Sequence, residues 1–147
     1  MALNELLNEN MKAAMKAKDK FTLSVLRMMR SEVKNEEIAK REKLSDDEVV
    51  QVLSRELKKR KDAAEEYRNY NREDMASDLE KEAQLILSYL PEQLSEEKIT
   101  DIIKEAVDMT GAHSKKDMGK VMGAVMPKLK GKADGRLVNK IVQSFLE

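Results

Sequence analysis

The sequence predicts an all-α protein in two parts, an N-terminal four-helix domain followed by a small three-helix C-terminal domain. Three observations carry this expectation. Apolar residues recur at spacings of three and four along nearly the whole chain, the period of one helix face rather than of a strand. Charged residues fill 38% of the 147 positions and aromatics only 3%, a composition of long solvated helices rather than of a strand-rich sandwich. Pro91 falls between two such apolar series. Because proline lacks the amide donor and disfavours helical geometry in the residue before it, Pro91-Glu92-Gln93 reads as a joint, giving domains 1–92 and 93–147.

The first helix follows from Leu3, Leu6, Leu7, Met11, Ala14 and Met15, a stripe of about four turns that Lys18-Asp19-Lys20 interrupts. Leu23, Leu26, Met29 or Arg30, and Val33 continue toward Ile38 as the inner face of a second. Ser45-Asp46-Asp47-Glu48 has the form of a capping box, so a third helix starts there, with Val49, Leu53, Leu57, Ala64 and Tyr67 inward. The charges between Arg55 and Glu66 read as its solvated face, held by pairs four residues apart. After a polar stretch over 69–74, Ala76, Leu79, Ala83, Ile86, Leu87 and Leu90 form a fourth helix that Pro91 ends near Tyr89 or Leu90.

Beyond the joint, Ser95 with Glu96 and Glu97 caps a fifth helix whose inner face is Ile99, Ile102, Ile103, Ala106 and Val107, with Gly111 closing it in a left-handed conformation. Ser114, with Asp117 three residues on, starts the sixth. Its apolar face is Met118, Val121, Met122, Val125 and Met126, and Pro127 is expected to stop it. Asp134 caps the seventh, with Leu137, Val138, Ile141, Val142, Phe145 and Leu146 inside. No alternating strand pattern, internal repeat or low-complexity tract stands out.

Charge is distributed unevenly. The whole chain has 28 basic and 28 acidic residues, yet residues 111–140 hold eight basic residues against two acids, a local balance of +6 that leaves −6 on the remainder. The eight are Lys115, Lys116, Lys120, Lys128, Lys130, Lys132, Arg136 and Lys140. They form the candidate nucleic-acid-binding set.

Catalytic chemistry finds little support. There is no Cys, and the single histidine, His113, has no second ligand to complete a zinc set, so neither metal nor cofactor is expected. The phosphate loop, the dinucleotide fingerprint and the nucleophile elbow are all absent, and the many carboxylates sit at helix-pairing spacings. No catalytic residue is assigned. A chain without cysteine fits a reducing compartment, and Glu5 and Glu9 break what would be an N-terminal apolar run. A cytoplasmic location is therefore expected, with no membrane partner.

The most distinctive stretch is Asp117 to Gly135. Gly119 and Gly123 stand four apart inside an apparent helix, each at a cost of about 1 kcal/mol relative to alanine. Close packing of the three-helix domain would offset that cost, and this is the expected role of both. Approach of a ligand backbone is the alternative, with the neighbouring lysines neutralising phosphates. Lys128, Lys130 and Lys132 fall in a glycine-containing connection that reads as a flexible phosphate clamp.

These residues also carry a resemblance. Leu23–Lys34, Arg55-Glu56-Leu57-Lys58-Lys59-Arg60-Lys61-Asp62, Tyr89–Ser95 and above all Met118–Gly135 resemble the GatB/YqeY family over essentially the whole chain. The resemblance implies that the last three helices are similar to the tail of the B subunit of the glutamine-dependent aspartyl/glutamyl-tRNA amidotransferase, a part associated with holding tRNA. It also implies partners: tRNA, and an aminoacyl-tRNA synthetase or an amidotransferase subunit. Nothing in the chain resembles the catalytic cradle of that enzyme, so a non-catalytic tRNA-associated role is expected. Participation in carbon–nitrogen ligase chemistry with glutamine as amido donor, and a protein-binding helical adaptor, are the alternatives.

Overall fold

Side-chain N-caps start four of the seven α-helices. A computed structural model describes residues 1–147, which form seven α-helices and one 3-10 turn without a strand. The chain divides into two compact units, Met1–Leu90 and Pro91–Glu147.

In the first unit, α1 spans Leu3–Lys16, α2 Lys20–Lys40, α3 Asp46–Asn69 and α4 Glu73–Leu87. Lys18 turns the chain at φ 58°, and Asp19 caps α2 by accepting from the Thr22 amide at 3.1 Å. The interruption in the apolar stripe is thus itself a helix start. At α3 the Ser45–Glu48 capping box forms in both directions, and Asp46 Oδ1 also accepts from the Leu3 amide at 3.0 Å. That bond satisfies an orphan donor of α1 and ties it to α3.

One cluster holds this unit: Leu7 from α1, Val25, Leu26, Met29 and Val33 from α2, Val49, Val52, Leu53 and Leu57 from α3, Ala83 and Ile86 from α4. Four residues of the expected apolar stripes are not inside, beginning with Leu6 and Met15 on α1, 37% and 48% exposed. Ile38 is 66% exposed because α2 runs more than a turn past its last core residue, Val33, and Tyr67 lies at the exposed rim. The charge run of α3 is not wholly solvated either. Glu56 is only 5% exposed, with Lys59 Nζ at 3.3 Å and Arg60 Nη1 at 3.7 Å from its Oε2. Its spacing from Val52 and Leu53 continues the buried stripe, so its position on the helix overrides its polarity. Helix α4 ends at Leu87, and Tyr89 and Leu90 follow in a tight turn bonded to the carbonyls of Ile86 and Leu87. Asn10 donates to the Tyr89 hydroxyl at 2.7 Å, which anchors that turn to α1.

In the second unit, α5 spans Glu96–Thr110, a 3-10 turn covers Lys115–Asp117, α6 spans Met118–Leu129 and α7 Gly135–Phe145. Ser95 accepts from the Lys98 amide at 3.2 Å, and Gly111 ends α5 at φ 68°. Ile99 and Ile103 of α5, Val121, Val125 and Leu129 of α6, and Val138, Ile141 and Val142 of α7 form the centre of its core, with Ala112 and Leu146 at its margin. Pro127 does not stop α6. The helix continues for two residues, because Leu129 is drawn into the core and the Lys130 amide still reaches the Met126 carbonyl at 2.9 Å. The proline removes only the donor that would have met the Gly123 carbonyl.

Candidate functional site

Helix α6 buries Val121, Val125 and Leu129, which places the opposite side in solvent. On that side Gly119, Gly123 and Pro127 succeed one another at intervals of four, all exposed, and Lys120, Ala124 and Lys128 form the adjoining row. A Cβ built on Gly119 or Gly123 would meet nothing within 4 Å. The expectation that these glycines serve close packing is therefore corrected. Their faces are open, and what they produce is a smooth strip of bare backbone beside a row with two lysines. The sequence marks Pro127 only as a helix stop and does not single out Ala124; the signal that could have placed them on this surface is their spacing of four from Gly123 and Lys120.

All eight basic residues of the candidate set are exposed: Lys115, Lys116, Lys120, Lys128, Lys130, Lys132, Arg136 and Lys140. None of the seven lysines takes part in an ion pair. In the first unit, by contrast, Lys40, Arg55, Lys59, Arg60, Arg68 and Arg72 all have a carboxylate within 4 Å. The lysines of the second unit keep their charge available to a partner from outside.

Backbone bonds hold the segments that carry them. At the start of α6, Asp117 Oδ2 accepts from the amides of His113 and Ser114 at 3.2 and 3.4 Å, and these bonds hold its carboxyl below the usual carboxylate range. The last residue joins in: the Lys115 amide donates to the Glu147 carbonyl at 3.0 Å, and the Glu147 amide to the His113 carbonyl at 3.2 Å. His113 itself points outward, its side chain 87% exposed, with no metal-binding set around it.

The connection from α6 to α7 is less free than its composition suggests. Gly131 takes φ 77°, the Lys132 amide returns to the Leu129 carbonyl at 2.9 Å, and the Leu94 amide donates to the Lys132 carbonyl at 2.9 Å. Gln93 Nε2 donates to the Gly131 carbonyl at 2.8 Å. The expected flexible clamp is a tethered turn that displays Lys130 and Lys132. Asp134 then caps α7 by accepting from the Arg136 amide at 2.9 Å. Chemically, this surface can neutralise several phosphates and admit a sugar–phosphate edge close to bare backbone.

Comparison with known proteins agrees with this architecture. The model of the family described as Yqey-like protein matches residues 4–146. A protein of Pyrenophora tritici-repentis named "Altered inheritance of mitochondria protein 41, mitochondrial" is 28% identical over 143 residues, covering 95% of this chain and 78% of the relative. A protein of the same name from Vanderwaltozyma polyspora is 39% identical over 85 residues, covering 57% of this chain and 46% of the relative. A glutamyl-tRNA(Gln) amidotransferase subunit of Thermococcus sibiricus is 39% identical over 61 residues, which is 42% of this chain but 10% of that protein. The mitochondrial relatives overturn the cytoplasmic location expected above. Absence of cysteine argues only against disulfides, and a reducing compartment need not be the cytosol.

Proposed function

The chain belongs to the Yqey-like protein family, and from that membership we propose a non-catalytic, tRNA-associated accessory protein whose C-terminal unit contacts the tRNA backbone. The observation that supports this most is the run of eight exposed basic residues, its lysines unpaired, around the bare strip of Gly119, Gly123 and Pro127. The likeness to a glutamyl-tRNA(Gln) amidotransferase subunit supports tRNA as the ligand class. Recognition through backbone and shape also suits a unit whose only aromatic residue, Phe145, packs against its core, leaving none free to stack on unpaired bases.

Fluorescence anisotropy of a labelled transfer RNA with the full chain, repeated from low to physiological salt, tests the reading. Four to six neutralised phosphates give a log–log slope of about −3 to −5. Absence of salt-dependent binding at low ionic strength overturns it. The second reading, participation in glutamine-dependent amidation, rests on the same likeness to the archaeal amidotransferase. Incubating the purified chain with glutamine, ATP and mischarged tRNA decides it: formation of amidated product would replace the non-catalytic role.

A further inference from the structure

We propose that a cleft between α1 and α2 in the first unit binds the phosphate group of a small, non-aromatic phosphomonoester. The cleft has a volume of about 460 Å³ and is lined by residues of the first unit alone. Arg27, Arg30, Ser31 and Lys34 line it from α2, at relative positions 0, 3, 4 and 7, so they share one helix face. Asn4 and Met11 line it from α1.

Its three cations are unpaired. Arg27 and Lys34 form no ion pair, and the only polar contact of Arg30 is a weak one, Nη1 to Met11 Sδ at 3.8 Å. Arg30 Nε is out of contact with solvent and has no hydrogen-bond partner. Arg68 of the same unit, by contrast, faces Glu73 and Glu80. The single acid on the cleft wall, Glu37, is already engaged, its Oε2 accepting from the Leu44 amide at 3.0 Å. Two guanidinium groups, an ammonium, a hydroxyl and an amide therefore line one cleft against a single carboxylate that is bonded to the Leu44 amide, a donor set that matches a phosphate.

The shape narrows the ligand. A phosphodiester in a chain continues on both sides and presents two free oxygens, whereas a monoester ends in three oxygens that can enter a recess toward a half-buried arginine. The volume exceeds what a bare phosphate fills and lies in the range of small-molecule sites. No aromatic side chain lines it, so the remainder of the ligand has no ring to stack on and is aliphatic or a sugar.

The test uses the full chain, amide NMR spectra, and three probes: ribose 5-phosphate, inorganic phosphate and ribose. The expected result is saturable shifts confined to the α1–α2 face with ribose 5-phosphate, binding about tenfold weaker for inorganic phosphate, and none for ribose. Arg27→Gln and Lys34→Gln, both at exposed positions, should each weaken ribose 5-phosphate binding about fivefold or more while leaving the spectrum otherwise folded. Equal affinity for inorganic phosphate would overturn the monoester assignment. No shift with either phosphate, or unchanged binding in both variants, would overturn the site.

Discussion

At Glu56, position on the helix matters more than chemistry. Its carboxylate sits at the buried end of a charge run, one turn from Val52 and Leu53, with Lys59 and Arg60 supplying the neighbouring positive charge. Removing it leaves Arg60, itself largely covered, without that carboxylate. Glu56→Ala is expected to destabilise the protein by about 1–3 kcal/mol in urea denaturation, although the sequence reads this stretch as a solvated face. Glu48 behaves differently, being half-buried yet legible as a capping residue. The Lys40 ammonium, together with the Ser45 amide, holds its carboxyl down at about 2 from an ordinary 4.5. A depressed value means its contribution is present above 4.5 and is lost as pH falls from there toward 2. The Tm gap between the parent and Glu48→Gln should accordingly be largest near neutral pH and shrink below about pH 4.

Among the elements, helix starts are readable in the sequence and helix ends less so. Ser45, Ser95 and Asp134 cap where their side-chain chemistry predicts, since an N-cap is decided by one side chain and the amides two or three residues on. Helix ends depend on what the next turn can bury. Pro127 would end α6 on local rules, yet Leu129 fills the core and carries the helix past it. Pro127→Ala should raise the thermal stability of this unit by about 1 kcal/mol, less than the roughly 3 kcal/mol of a mid-helix proline, because only the last turn is affected. The glycines mislead for a related reason. Spacing puts Gly119 and Gly123 on one face but does not say whether that face meets the core, and the apolar row at Val121, Val125 and Leu129 turns it outward.

For the molecule as a whole, the partition of charge is already visible in the composition, and the structure adds that the two parts use their cations differently. Salt bridges engage six of the eighteen basic residues in Met1–Leu90 and none of the seven lysines of the basic set in Pro91–Glu147. Sequence can count these charges but not their partners, which depend on helix pairing. Each unit also has its own apolar cluster, so a fragment comprising residues 91–147 is expected to retain helical circular dichroism and a cooperative melt; a random-coil spectrum would contradict that independence. The cleft lined by Arg27, Arg30 and Lys34 is not legible, because its cations stand in a segment whose remaining residues read as an ordinary amphipathic helix.

Under the proposed function, the bare, lysine-flanked strip of α6 is a contact surface rather than a packing device. Replacing Gly119 and Gly123 together by glutamine adds no charge, meets open space at each Cβ and restores helix propensity. Measured side by side, tRNA affinity and thermal stability of this double variant separate the two roles. The expected result is a stability gain of about 0.5 kcal/mol or more per site with tRNA binding weakened about tenfold. Lost stability, or gained stability with unchanged tRNA binding, would contradict it.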